Sequence, residues 1–217
     1  LDPIEEFVGF IETVLDSSGV AIAIDISSFP KRFFFPALKL ILRRSTISHV
    51  LALYTTAAGY GAMPISEDVQ PIEHLPLFQP RYPNVQPAAV VVAMGMQPLG
   101  VAELLDAAGA APIHTLFPTT GRGEIRQLLL KFQQTIESNA SSRVRRAVRF
   151  LSPTDVSTAF STIASYRASA ETVAALAPFG PKPISLVMAL AAWKFQWPVY
   201  YSQPTVYNPD YTYGVGM

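Results

Sequence analysis

Cysteine is absent from the 217-residue chain. With it go disulfide staples, thiolate metal sites and any cysteine nucleophile. Charge is scarce, with 15% of residues Asp, Glu, Lys or Arg against roughly 25% in an ordinary soluble domain. The 16 basic residues balance 16 acidic ones, so no global field draws the chain to nucleic acid, and stable binding to a duplex is not expected. Long apolar runs are missing too: the richest, Leu186 to Trp193, falls far short of the ~18 residues of a membrane span. Leu1 to Glu6 lacks the basic start of a secretory signal, which gives the expectation of a cytoplasmic protein without a membrane anchor. Neither G-x-G-x-x-G nor G-x-x-x-x-G-K-[ST] occurs, which disfavours a dinucleotide oxidoreductase and a P-loop ATPase. His49, His74 and His114 are isolated in sequence, so metal catalysis is not expected. No G-x-S-x-G elbow is present, and no cofactor is implied.

What the chain does have is apolar residues, 50% of the total, enough to bury a large core. At about 100–200 residues per domain, the length favours one domain. The shortage of charge suggests that part of the surface is covered, most simply by a second copy, so a homodimer is expected. The chain starts at Leu rather than Met, which suggests a trimmed chain and leaves room for an attached effector module.

Periodicity alternates between short β-rich runs and longer helical ones. Pro3 to Asp16 has helical spacing, Val20 to Ile26 reads as a strand buried on both faces, a helix runs from about Pro30 to Arg43-Arg44, and Val50 to Thr55 is a strand. From Thr56 to Pro87 the pattern vanishes among prolines, as in a lid or interface insertion. Strands then follow at Ala88–Met94, Ile113–Phe117, Ala147–Leu151, Thr172–Ala177 and Val199–Ser202. Helices intervene at Leu99–Ala108, Gly123–Ser138, Pro153–Ala168, with Ser152 as cap, and Pro183–Phe195. Beyond Gln203 lies an irregular tail rich in Tyr and Pro. Strict alternation argues for an α/β, Rossmann-like fold, a mostly parallel sheet with helices on both faces.

Ligands of such sheets bind outside the carboxyl ends of the strands. The residues there are Asp25, Ser27, Ser28, Lys31 and Arg32; Tyr54 and Thr55; Gly95 and Gln97; Thr119, Thr120, Gly121 and Arg122; and Gly180, Lys182 and Ser185. Hydroxyls and cations outnumber carboxylates, which suits an anionic ligand such as a nucleotide or oligonucleotide. Gly180-Pro181-Lys182-Pro183 is the most specific piece, because a glycine lets backbone approach a phosphate and a helix start adds N–H groups beside the Lys182 charge. The plainer reading is a strand-to-helix turn. Asp25 can accept from a ribose hydroxyl, act as an enzyme's base or cap local N–H groups. Gly121-Arg122-Gly123 reads as a flexible turn, and Arg143, Arg145, Arg146 and Arg149 as a solvated basic cluster.

The Gly180-Pro181-Lys182-Pro183 turn, with Ser185 in the next helix and the Asp25–Ser28 strand end, resembles CARF-like domains, the CRISPR-associated Rossmann fold. In that family the motif reads glycine, small residue, lysine, proline; here Pro181 replaces the small residue. The resemblance implies an antiviral sensor that binds a cyclic oligonucleotide messenger across a homodimer, with Lys182 and Ser185 near phosphate or base. An enzyme acting on a nucleotide-like substrate, or a non-catalytic scaffold, are the alternatives.

Overall fold

The computed structural model describes residues 3–17, 19–61, 66–81, 85–97, 100–119, 123–139, 146–167 and 172–216. Thr120, Gly121, Arg122, Arg143 and Arg145 lie outside them. The chain divides into two compact units, Leu1–Ile65 with Tyr207–Met217, and Ser66–Val206. The fold is α/β, with six α-helices and a four-stranded parallel sheet among the described residues.

In the first unit, α1 (Pro3–Asp16) and α2 (Lys31–Arg43) pack together, the Phe7 ring meeting Phe29 and Phe33 edge-on at 5.9 and 5.0 Å. The α2 helix begins directly after Pro30 and continues through Pro36. Its Phe34 and Phe35 are fully buried, each stabilising the fold by about 1.5–3 kcal/mol. Strands β1 (Ala21–Asp25) and β2 (His49–Leu53) pair in parallel, Ile24 opposite Ala52. The apolar run at Val20 to Ile26 was expected to be covered on both faces, but only Ile24 and Ile26 are buried. The alternate positions Ala21 and Ala23, with Leu51 and Leu53 beside them, are exposed. A continuous apolar run cannot by itself tell a doubly covered strand from one with a bare apolar face.

The second unit carries β6 (Ala89–Ala93), β7 (Ile113–Pro118), β8 (Arg146–Leu151) and β9 (Ala174–Pro178), all parallel, in the spatial order β8-β7-β6-β9. Central β6 and β9 are buried at every position, as parallel strands covered on both faces should be. Val90, Val92, Met94, Ile113 and Phe117 join Val101, Leu104 and Leu105 of α3 (Val101–Ala108) and Leu129, Phe132 and Ile136 of α4 (Gly123–Asn139) in one core. The alternate residues Val91, Ala93, Leu116 and Leu176 are also fully buried. Their face belongs to α5 (Val156–Ala164) and α6 (Lys182–Phe195), which pack on each other, α6 also meeting β9. The α5 helix starts later than Pro153, because the Asp155 carboxylate accepts from Thr158 N–H at 3.0 Å. Ser152, the expected cap, instead shares a hydrogen bond with the Thr154 hydroxyl. A carboxylate is the better acceptor at the positive helix end.

The proline-rich stretch and the tail beyond Gln203 were expected to be irregular, and both form short strands; two of the pairings join stretch to tail, and the third joins the stretch, antiparallel, to Tyr200–Tyr201 inside the strand expected at Val199–Ser202. β3 (Ala57–Tyr60) pairs with β12 (Thr212–Val215), β4 (Ser66–Val69) with β11 (Pro204–Tyr207), and β5 (Glu73–His74) with β10 (Tyr200–Tyr201). Strands this short, between prolines, carry no alternation long enough to read, and each partner lies more than a hundred residues away in sequence.

Candidate strand-end sites

In the first unit the carboxyl ends of β1 and β2 lie side by side. Ile26 N–H donates to the Leu53 carbonyl at 2.9 Å. Asp25 Oδ1 accepts from Ser27 N–H at 2.8 Å, and Ser27 Oγ accepts from Thr55 N–H at 2.7 Å. This chain of hydrogen bonds ties the two strand-end loops together. The turn that Asp25 makes with its own backbone is one that Asp adopts widely without any ligand. Ser28 is exposed, while Lys31, the first residue of α2, is buried. Tyr54 follows β2, and burial, then the neighbouring Tyr60 and Tyr211, raises its hydroxyl pKa above the ordinary value, so it stays a neutral donor.

In the second unit the strand order changes direction. The chain moves outward from β6 to β7 to β8, then returns to place β9 on the other side of β6. Val199 extends the sequence of strands by bridging Leu176 in parallel, with Leu176 N–H donating to the Pro198 carbonyl at 2.9 Å. The gap between the carboxyl ends of β6 and β9 is therefore a topological switch point, where ligands of open parallel sheets bind.

Gly95 and Gly180 close the two strands at this gap. A Cβ on Gly95 would collide with the Phe179 carbonyl oxygen, and one on Gly180 would lie 3.0 Å from Ala93 Cβ and 3.1 Å from the Met94 oxygen. Both glycines are buried, so they let backbone meet backbone and set how closely the strand ends approach. Gln97 follows, half-buried. The loop then reaches Gly100, whose φ of +73° falls in the left-handed region glycine favours. A side chain there would strike Ser202, which follows β10. The start of α3 thus lies beside the residue that follows β10. Gly100 carries no side-chain cap for α3, which leaves the first N–H groups of that helix without an internal acceptor.

Lys182 opens α6 directly after Pro181, half-buried. Ser185, expected at the ligand, is fully buried, and its hydroxyl donates to the Gly180 carbonyl at 3.3 Å. It braces the glycine turn, because a hydroxyl one turn into a helix lies within reach of the carbonyl just before the cap. Aromatic rings stand nearby, Phe179 lying 5.8 Å from Phe132 and 6.2 Å from Tyr201 between centroids.

The strand-end residues named from sequence do not form one cluster; Arg32 falls on the first unit and Thr119 on the second. Asp25, Ser27, Ser28, Lys31, Tyr54 and Thr55 lie on the first unit, and Gly95, Gln97, Gly180, Lys182 and Ser185 on the second. Gly100 and Ser202 were missed. The five-residue step between Gly95 and Gly100 at the first strand-to-helix loop was the available signal for Gly100. Among the described residues no group of three or more His, Asp or Glu side chains could hold a metal ion, and no helix is long and apolar enough to cross a membrane. The chain matches no protein-family model, no curated protein and no solved structure.

Proposed function

We propose that the second unit is a Rossmann-like module that binds an anionic nucleotide or (cyclic) oligonucleotide at the carboxyl ends of β6 and β9. The observation that carries this reading is the strand order. Counted along the parallel sheet alone, the strands stand third, second, first, fourth, with the Val199 bridge in fifth place, the sequence of positions typical of doubly wound nucleotide-binding sheets. In this reading Gly95 and Met96 at the end of β6, with Gly100 at the start of α3, offer main-chain N–H groups to phosphate. Lys182 adds a point charge at the start of α6, whose first N–H groups favour an anion. Gln97 supplies a neutral polar contact, and Ser185 holds the turn. The ligand's occupancy would then be passed to an attached or partner module, the chain acting as a homodimeric sensor.

An enzymatic reading needs Asp25 as a base. Its Oδ1 already accepts from the Ser27 N–H, which favours a loop-bracing role instead. Calorimetric titration with AMP, ATP and a cyclic oligoadenylate tests the proposal. Binding to the wild type, weakened at least tenfold in Lys182→Ala, is expected. Failure of all three probes to bind the wild type refutes the nucleotide reading, and undiminished binding to Lys182→Ala removes the switch point as the site.

A further inference from the structure

The parallel sheet of the second unit ends at β8, and among the described residues no strand pairs with its outer edge. The Leu151 carbonyl accepts from Thr119 N–H at 2.7 Å, toward β7. Main-chain direction alternates along a strand, so the N–H and C=O groups of Val148 and Phe150 point the other way, to the open side. Their side chains are apolar and exposed, Val148 at 39% and Phe150 at 66%. Natural edge strands are usually kept short, bulged, covered or charged to prevent such pairing. This one runs six residues and offers two apolar side chains beside backbone groups that pair with no strand among the described residues.

Its charge has one sign. Arg146 and Arg149 lie on the strand, and the sequence holds no acidic residue between Glu137 and Asp155. A second copy would bring arginines toward arginines. An extended segment with acidic residues would meet them favourably. We propose that β8 is a docking edge for an extended acidic peptide of a partner protein. The peptide adds as a further strand, with alternate apolar residues against Val148 and Phe150 and carboxylates on the opposite face, toward the exposed Arg149 between them. Main-chain pairing supplies affinity in this mode, and the side chains supply selectivity.

The test uses a fluorescein-labelled hexapeptide of alternating Glu and Val, with a Lys/Val peptide of equal length as control, followed by fluorescence anisotropy on the full chain. The Glu/Val peptide is expected to bind, more weakly as salt rises, and the Lys/Val peptide to bind at least tenfold more weakly. Val148→Pro removes one outward N–H, a change that an edge strand tolerates, and is expected to weaken binding at least tenfold with an unchanged Tm. Should that variant fold poorly, Phe150→Glu at the exposed neighbouring position gives the same comparison through charge repulsion. No binding of the Glu/Val peptide, equal binding of both peptides, or full binding by the variants overturns the proposal. So does a wild-type dimer in sedimentation that Phe150→Glu dissociates, since a second copy would then occupy the edge.

Discussion

Replacing Gly95 with Ala tests how the switch point is built. The added methyl group would meet the Phe179 carbonyl oxygen, with the Phe179 carbonyl carbon 3.0 Å from its centre. Both parties are backbone at the ends of two fully buried strands, so no rotamer change relieves the collision. Either β6 and β9 separate at their carboxyl ends or the Phe179-Gly180 turn shifts. Overpacking a well-packed interior costs typically 1–3 kcal/mol, and the absence of a flexible partner puts this case near the upper end, about 3 kcal/mol. Trp193 and Trp197, the two tryptophans of the chain, both belong to the same unit as Gly95. Trp197 is buried, its indole N–H donating to the Thr172 carbonyl at 3.1 Å. Urea unfolding followed by tryptophan fluorescence therefore reads the unit that holds the mutation. Gly9→Ala provides the opposite control: nothing lies within 4 Å of its Cβ position inside α1, so the change should stabilise by about 1 kcal/mol, measured by circular dichroism. A Gly95→Ala fluorescence transition superimposable on the wild type would show that β6 and β9 do not meet as described.

Two further outcomes follow from buried ionisable groups. Lys39 on α2 is only 6% exposed, and burial, with Arg43 nearby, lowers its pKa to about 8. The unfolded chain then binds the proton more tightly, so stability should rise as pH climbs from about 8 toward 10.5; Lys39→Met should flatten this rise and stabilise the neutral-pH protein by on the order of 1–3 kcal/mol in thermal unfolding. Burial also lowers the pKa of His74 and His114, with Arg149 adding to the effect at His114. Their contribution is complete above the ordinary value of 6.5 and is lost as pH falls below it, so the double variant His74→Asn/His114→Asn should show a flatter fluorescence-monitored stability profile between about pH 7 and pH 5 than the wild type.

The helices and the parallel strands were legible because their apolar periods are long. The run Ala88–Met94 reads as a strand, and Ala89–Ala93 is one, buried at every position. The similar run Val20–Ile26 reads as a strand buried on both faces and has an exposed one, because periodicity reports hydrophobicity and not what lies against it. Strand order was not legible at all: it is decided by which edges meet after the helices pack, and it is what brings Gly95 and Gly180 together from positions 85 residues apart. Among the site residues, Lys182 and Gly180 could be found from a local turn pattern. Gly100 depends on the approach of Ser202, and the burial of Ser185 depends on the packing of α6.

The shortage of charge that stands out in the sequence has a place in the structure. An ordinary chain would put polar residues on the outer positions of β1 and β2; this one puts Ala21, Ala23, Leu51 and Leu53 there, with Leu51 at 59% exposure. The tail strand β12 likewise exposes Tyr213 and Val215, and β8 exposes Val148 and Phe150. Scattered apolar residues are normal on a protein surface, but these gather on strands. Charge separates these surfaces from one another. Beside its apolar residues the β1–β2 face carries the exposed His49, opposite Ala21, and one carboxylate, Asp25, which accepts from Ser27 N–H in its own loop. The β8 edge combines exposed apolar side chains with arginine, and that combination is what the proposed acidic strand would meet.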